Sequence, residues 1–325
     1  MRYYRFICSI PLLLSATACM QNGPDGCNNV PVVNETYIHK YGVAVPSGFW
    51  SESGRDGAVI SERADGVVVS QSYSQGILDG ESNYTFPHNS QIEKREFYQQ
   101  GCLVKTIRYY FDGTPKEQVL YDQSLKTILT TSWYSNGTPR SAEQHVEGQH
   151  FNGEYYNPQN QCDAEVENYA GTRLVRDDYG QLISSDTIQN GQMVSSTTFH
   201  SNQTPKEKIP YQNGSVHGCK VAFHPGGEPD TSQEWVNGKQ EGMTVVYQHG
   251  ERYAEVPYKN GNKHGVEQRY RDGTEVVQEI SWQNGLQHGP AVTYVGGTKS
   301  VVWYYQGQLV SETDYNFLTN KPVAR

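Results

Sequence analysis

Apolar and polar residues alternate along most of the chain, in short runs that are separated by turn residues. One run is Met243-Thr-Val-Val-Tyr247, and the next is Ala254-Glu-Val-Pro-Tyr258. Alternation with a period of two is typical of β-strands that bury one face. Asn-Gly and Asp-Gly pairs stand between the runs, and these residues tolerate the positive φ that a type I′ hairpin turn requires. The pattern therefore predicts consecutive antiparallel hairpins.

The turns recur at a nearly constant spacing, which points to a tandem repeat. Four segments share the form aromatic-x-Asn-Gly-x-x-x-Gly, and their first glycines are 24, 23 and 24 residues apart: Gly214, Gly238, Gly261 and Gly285. A degenerate copy ends at Gly307, and looser copies begin at Tyr73 and Tyr98. A second turn lies half a period away, as at Asp112-Gly113. Each period of ~23 residues thus holds two strands, which predicts an all-β fold, an elongated antiparallel meander of hairpin repeats.

Strand alternation also predicts which side chains face inward. Met243, Val245 and Tyr247 share one phase, and we expect them on the same inner face as Ala254 and Val256 of the next strand. Cys219 holds the repeat position of Met243, so we expect it to pack on that face as a small apolar residue.

Changes in composition along the chain divide it into five segments. We predict a signal peptide at residues 1–18, a flexible tether at 19–35 and an N-terminal β cap at 36–68. The repeat array follows at 69–310, and a polar C-terminal tail at 311–325.

The first residues have the features of an export signal. Arg2 and Arg5 precede a short apolar stretch, which is followed by Ser15-Ala-Thr-Ala-Cys19. This ending resembles the bacterial lipobox, although Ala16 stands where that family usually has Leu. The resemblance implies cleavage before Cys19, lipidation of its thiol and an exported protein anchored to a membrane of the cell envelope. The alternative is an ordinary signal peptide cut near Ala18.

Composition narrows the classes of partner. The formal net charge is -9, and removal of Arg2 and Arg5 with the signal takes it to -11. This acidic balance argues against nucleic acid and against electrostatic docking on anionic lipid. The chain has 32 Gly and 24 Tyr, which suits turns and half-buried strands better than disorder.

Four cysteines remain after the signal and Cys19 are set aside, namely Cys27, Cys102, Cys162 and Cys219. An exported chain with four cysteines permits two disulfides, and three pairings stay open.

No catalytic motif is present, and we predict no enzyme, no cofactor and no metal. His217, His264 and His288 recur in one repeat position, but equivalent residues of adjacent hairpins lie two strands apart, about 9.5 Å. One ion cannot bridge that distance with bonds of about 2 Å. We interpret these histidines as residues that flank turns.

Aromatic residues form the most distinctive recurring set. Five of them share one repeat phase: Tyr211, Trp235, Tyr258, Trp282 and Tyr304. Two hypotheses stand for this row, namely packing across strands and an exposed platform for a peptide or glycan.

The repeat unit resembles that of the bacterial MORN-variant repeat proteins, the YwqK-family antitoxin-like group. The match is good from residue 211 to 289 and weaker from 73 to 191. The resemblance implies an elongated β-meander with roles in protein–protein contact or membrane association. We therefore expect a non-catalytic scaffold that binds another envelope protein or itself. The alternatives are a glycan- or peptidoglycan-binding module and an antitoxin-like protein.

Overall fold

A computed structural model describes residues 30–320 of the chain. It is mostly β, with 66% strand and 5% helix, and consecutive strands pair antiparallel, which confirms the prediction of an all-β hairpin array. The chain divides into two compact units, one ending at Gly148 and the other beginning at Gln149.

The first unit is a meander of short strands with one small helix. Its elements are β1 Val32–His39, β2 Ala44–Val45, α1 Ser47–Glu52, β3 Gly57–Arg63, β4 Val68–Ser74, β5 Ile77–Thr85, β6 Ile92–Gln99, β7 Cys102–Tyr109, β8 Pro115–Asp122, β9 Thr127–Trp133 and β10 Pro139–Val146. From β3 onward each strand pairs antiparallel with the next, and β1 pairs with both β2 and β3.

Aromatic contacts join the helix α1 to the first strands of this unit. Trp50 of α1 is buried, and its ring lies 5.8 Å from that of Tyr37 and 6.3 Å from that of Tyr73. β1 begins at Val32, so residues 32–35 belong to a strand and not to the predicted tether, because Val32 and Asn34 already pair with β3. Residues 19–29 of that tether lie outside the described residues.

The second unit is also a meander of short antiparallel strands. Its elements are β11 Gln149–Tyr156, β12 Cys162–Glu167, β13 Ala170–Arg176, β14 Leu182–Gln189, β15 Gln192–Phe199, β16 Pro205–Gln212, β17 Ser215–Val216, β18 Gly218–Phe223, β19 Pro229–Val236, β20 Lys239–Gln248, β21 Glu251–Lys259, β22 Asn262–Lys263, β23 Gly265–Arg271, β24 Glu275–Gln283, β25 Leu286–Val295, β26 Thr298–Tyr305, β27 Gln308–Val310 and α2 Glu312–Thr319. Tyr155, Val166 and Ile188 form a small buried cluster near its start.

The Asn-Gly turns have the backbone that the sequence predicts. At the turn of β19 and β20, Asn237 has a φ of 49° and Gly238 a φ of 78°. The other three strong copies have positive φ at both residues as well. These are the left-handed conformations of a type I′ turn.

The prediction of the inner face is wrong for β20. Thr244 is buried and lies opposite Val256 of β21, whereas Met243 is 37% exposed. The register shifts between Val246 and Tyr247, so the phase of one strand does not carry over to the next by counting residues. Five buried residues follow each other across this face, and we call them the inner row: Thr244, Val256, Glu267, Ile280 and Ala291.

The buried residues of the first unit also include polar side chains. Ser82, Glu96 and Thr106 lie opposite one another on β5, β6 and β7 and are buried. The Glu96 carboxylate accepts hydrogen bonds from the hydroxyls of Tyr84 (2.8 Å) and Tyr98 (3.0 Å). Burial and the Glu96 carboxylate raise the pKa of Tyr84, which keeps its hydroxyl a donor.

Most of the predicted polar tail, residues 311–325, is a helix, and residues 321–325 lie outside the described residues. Residues 312–319 form α2, because the Ser311 hydroxyl caps the helix by accepting a hydrogen bond from the Asp314 backbone N–H (3.0 Å). The Tyr315 ring packs against Trp303 at 4.9 Å and against His288 at 5.5 Å. Within residues 30–320, neither helix has the length and apolar content needed to cross a bilayer.

Candidate interaction surfaces

The Asn-Gly turns are tied to one another by backbone hydrogen bonds. The N–H of Gly261 donates to the carbonyl of Gln240 (2.9 Å), which follows the preceding turn. Equivalent bonds of 2.8–2.9 Å run from Gly238 to Val216, from Gly285 to Lys263 and from Gly307 to Gln287. The turn glycines therefore join each hairpin to the one before it, and their recurrence has a structural cause.

The second glycine of each repeat lies at a β-bulge opposite an aromatic residue. Gly265 has a φ of 111°, and a Cβ there would lie 3.1 Å from Cγ of Pro257. Only glycine fits this backbone without strain. Four such pairs occur in the second unit: Gly218 with Trp235, Gly242 with Tyr258, Gly265 with Trp282, and Gly289 with Tyr304.

The five aromatics of the predicted row are all half-buried. Four of them face a bulge glycine, and Tyr211 lies opposite Val216. The Lys263 ammonium lies 4.4 Å from the centre of the Trp282 ring, and the Trp235 indole N–H donates to the Gln233 side chain (3.1 Å). Each ring therefore packs within the sheet and presents only part of its surface to solvent.

The recurring His position serves the next turn. In this position Glu241 accepts a hydrogen bond from the backbone N–H of Asn260 (2.6 Å), and His288 accepts one from that of Gln306 (3.4 Å). His217 lies 3.4 Å from the Asn237 side chain. Glu241 and His288 each offer an acceptor to the following turn, and the histidines of this position lie beside turns, as the sequence indicates.

The residues that follow the bulge glycines form a row on the opposite face, which is exposed at Cys219, Met243 and Val266 and half-buried at Pro290. We call Cys219, Met243, Val266 and Pro290 the outer row. Met243 is 37% exposed and Val266 is 49% exposed. The prediction that Cys219 packs inside is wrong, because the bulge turns it to this face, where its Sγ lies 3.2 Å from Ser232 Oγ. The outer row is a line of apolar side chains at the repeat spacing.

The cysteines do not form two disulfides. Cys162 and Cys219 are free, and Cys102 is disulfide-bonded. Cys27 lies outside the described residues. Partial burial and a hydrogen bond to Glu165 raise the pKa of the Cys162 thiol, so this thiol is a weaker nucleophile than an ordinary one.

The last full strand has an open edge. β27 pairs with Trp303, Tyr304 and Tyr305 of β26. On that side, no strand of the described chain pairs with residues 298–302, which we call the C-terminal edge. Beside it lies a depression of about 680 Å³ whose lining includes Pro290, Val292, Lys299, Val301, Trp303 and Glu312. The predicted lipidation residue, Cys19, lies outside the described residues.

Comparison with known proteins assigns neither family nor activity. No family model and no curated protein matches the chain. Among solved structures, a porin-like protein from Bacteroides uniformis is similar over 82% of this chain and 92% of its own, with 9% identity and a TM-score of 0.12. A similarity of this size supports no conclusion about fold or function.

Proposed function

We propose that this protein is an exported, lipid-anchored and non-catalytic scaffold whose hairpin array binds another protein of the cell envelope. The exposed outer row carries the proposal. Met243 and Val266 present apolar surface at the repeat spacing, and both stay exposed among residues 30–320. Apolar surface removed from water contributes about 25 cal/mol per Å², so a partner that covered this row would gain from it.

The two faces of the sheet have different roles, and this difference supports the same proposal. The inner row, the bulge glycines and the turn hydrogen bonds hold the hairpins together. The outer row contributes little to that framework, because Val266 lies across from a small polar residue, Ser281. A surface that the fold does not need for its own stability is available for a partner.

The anchor rests on residues 15–19. Diacylglyceryl chains on Cys19 would hold the protein at a membrane, with about 0.8 kcal/mol for each buried CH₂. Such a location also separates the protein from a cytosolic toxin, which disfavours the antitoxin-like alternative. The half-buried aromatic rings favour the scaffold over a glycan platform, because a stacking platform presents whole ring faces to solvent.

Co-purification from envelope extracts with paired variants tests this proposal. The test variant combines Met243→Glu with Val266→Glu. The control combines Asn262→Glu with Thr274→Glu, which adds the same charge at two exposed positions, one in β22 and one in a turn. We expect one envelope protein to co-purify with the wild type and the control and to be lost from the test variant. Recovery of no partner by the wild type, or equal recovery by the test variant, would contradict the proposal.

A further inference from the structure

The C-terminal edge has backbone groups that point away from the sheet. Tyr305 and Gln308 face each other across a two-residue turn, so the backbone N–H and C=O of Tyr305 point toward β27. These groups alternate in direction along a strand. The N–H and C=O of Lys299 and Val301 therefore point to the same side as those of Tyr305, where β27 no longer covers the strand.

We propose that this edge pairs with the same edge of a second copy of the chain. The two strands run antiparallel about a two-fold axis at Ser300, so that Lys299 of each copy lies opposite Val301 of the other. Both residues carry outward backbone groups, and the two opposed pairs form four main-chain hydrogen bonds. Ser300 of one copy then faces Ser300 of the other.

The neighbouring registers are excluded by charge and by β27. A shift in one direction brings the two Lys299 side chains opposite each other, and like charges in that position destabilise a sheet. A shift in the other direction places Lys299 opposite Trp303, whose outward backbone groups are already paired with Val310. The register centred on Ser300 avoids both conflicts.

Charge complementarity favours a second copy as the occupant. Lys299 and Val301 lie on the same face of β26, and Glu312 lines the depression beside Val301. When Lys299 lies opposite Val301 of the second copy, its ammonium also comes close to Glu312 of that copy. The two-fold axis produces this ion pair twice.

The size of the contact predicts a weak dimer. Five residues of each strand take part, fewer than the roughly 20–30 residues per side of a stable interface. Tethering both copies to one membrane raises their effective concentration and compensates for a weak contact. The edge lies on β26, whereas Met243 and Val266, the outer-row residues that carry the scaffold proposal, lie on β20 and β23. This inference therefore goes beyond the envelope partner proposed above.

Cysteine crosslinking of the full-length mature protein tests the register. Ser300→Cys is introduced together with Cys162→Ala and Cys219→Ala, which remove the two free thiols. In the proposed pairing the Cα atoms of residue 300 lie about 4.5 Å apart, within the range of a disulfide. The control, Thr298→Cys in the same background, places its two thiols about 14 Å apart, since a strand rises about 3.4 Å per residue. We expect oxidation to give a covalent dimer with Ser300→Cys and none with Thr298→Cys.

Charge exchange tests the ion pair in the crosslinking background. Lys299→Glu and Glu312→Lys should each lower the yield of the Ser300→Cys dimer about three- to tenfold, and the double variant should restore it. Absence of the dimer, equal dimer from both cysteine positions, or no rescue in the double variant would overturn the inference. The Met243→Glu/Val266→Glu variant should form the dimer as the wild type does, so failure of the edge and failure of the outer row are distinguishable.

Discussion

Glycine occupies two positions of each repeat for different physical reasons. Gly261 belongs to an Asn-Gly turn, has a φ of 81° and has open space where a Cβ would be. Gly265 has a φ of 111°, and a Cβ there would approach the Pro257 ring. The sequence marks both glycines alike, but their backbone surroundings differ.

Replacement of these glycines should therefore have unequal costs. Gly261→Ala places an ordinary residue in the left-handed region and should lower the free energy of unfolding by about 1 kcal/mol. Gly265→Ala adds the contact with Pro257 and a less favourable φ, so we expect a loss of about 2–3 kcal/mol. Urea unfolding monitored by tryptophan fluorescence compares the two, and an equal loss would contradict the role given to the bulge.

Glu267 is a buried carboxylate held by two cations. Its side chain is 3% exposed, and it lies 2.9 Å from Lys263 Nζ and 2.8 Å from Arg269 Nε. Burial by itself would raise the pKa of Glu267, but the hydrogen bonds from Lys263 and Arg269 outweigh it and the pKa lies below its ordinary value.

A lowered pKa gives Glu267 a stabilising effect that depends on pH. The effect is complete above the unfolded-state pKa of about 4.3 and is lost as the pH falls below it, through the pKa of the folded state. Glu267→Gln should lower the free energy of unfolding by about 1–3 kcal/mol at pH 7 and by less at pH 3. Urea unfolding at both pH values measures this difference, and a loss that did not shrink at pH 3 would argue against a buried ionised carboxylate.

At the scale of the hairpin, the position before each bulge glycine links one repeat to the next. Glu241 bonds the turn at Asn260, whereas His264 holds the same position and its side chain makes no such bond among residues 30–320. Glu241→Ala should lower the free energy of unfolding by about 0.5–1.5 kcal/mol, and His264→Ala by less. Thermal unfolding of both variants provides the check, and the opposite order would mean that this bond does not stabilise the turn.

Hairpins and turn spacing could be predicted from the sequence because they depend on local chemistry. The positive φ at Asn237 and Gly238 follows from the turn residues alone. The inner face could not be predicted, because the bulge after Val246 breaks the count of alternating residues. Burial of Glu267 depends on cations that only the register brings together. β27 is too short to pair with residues 298–302 of β26, and this leaves the C-terminal edge open. Nothing in the repeat pattern predicts that length.

On the scale of the whole molecule, a repeat array gains stability mainly from contacts between neighbouring hairpins. A partner can therefore bind along the array without disturbing a single central core. The proposed lipid anchor has its own test, since it rests on residues that precede the first strand.

Cys19→Ser removes the proposed acceptor for the lipid and should move the protein from the membrane fraction to the soluble fraction. The loss of buried acyl chains, at about 0.8 kcal/mol per CH₂, is the physical reason. Fractionation of cells and mass spectrometry of the N-terminal peptide measure the change. An unmodified Cys19 in the wild type would contradict the lipid anchor and favour an ordinary signal peptide.

Photocrosslinking in living cells tests the scaffold proposal most directly. A photoreactive amino acid replaces Val266 of the outer row or, as a control, Tyr179, a loop residue that is 87% exposed in the same unit. We expect a discrete adduct with an envelope protein from position 266 that position 179 does not form and that Met243→Glu weakens. Absence of an adduct at position 266, or the same adduct from both positions, would contradict a partner bound on the outer row.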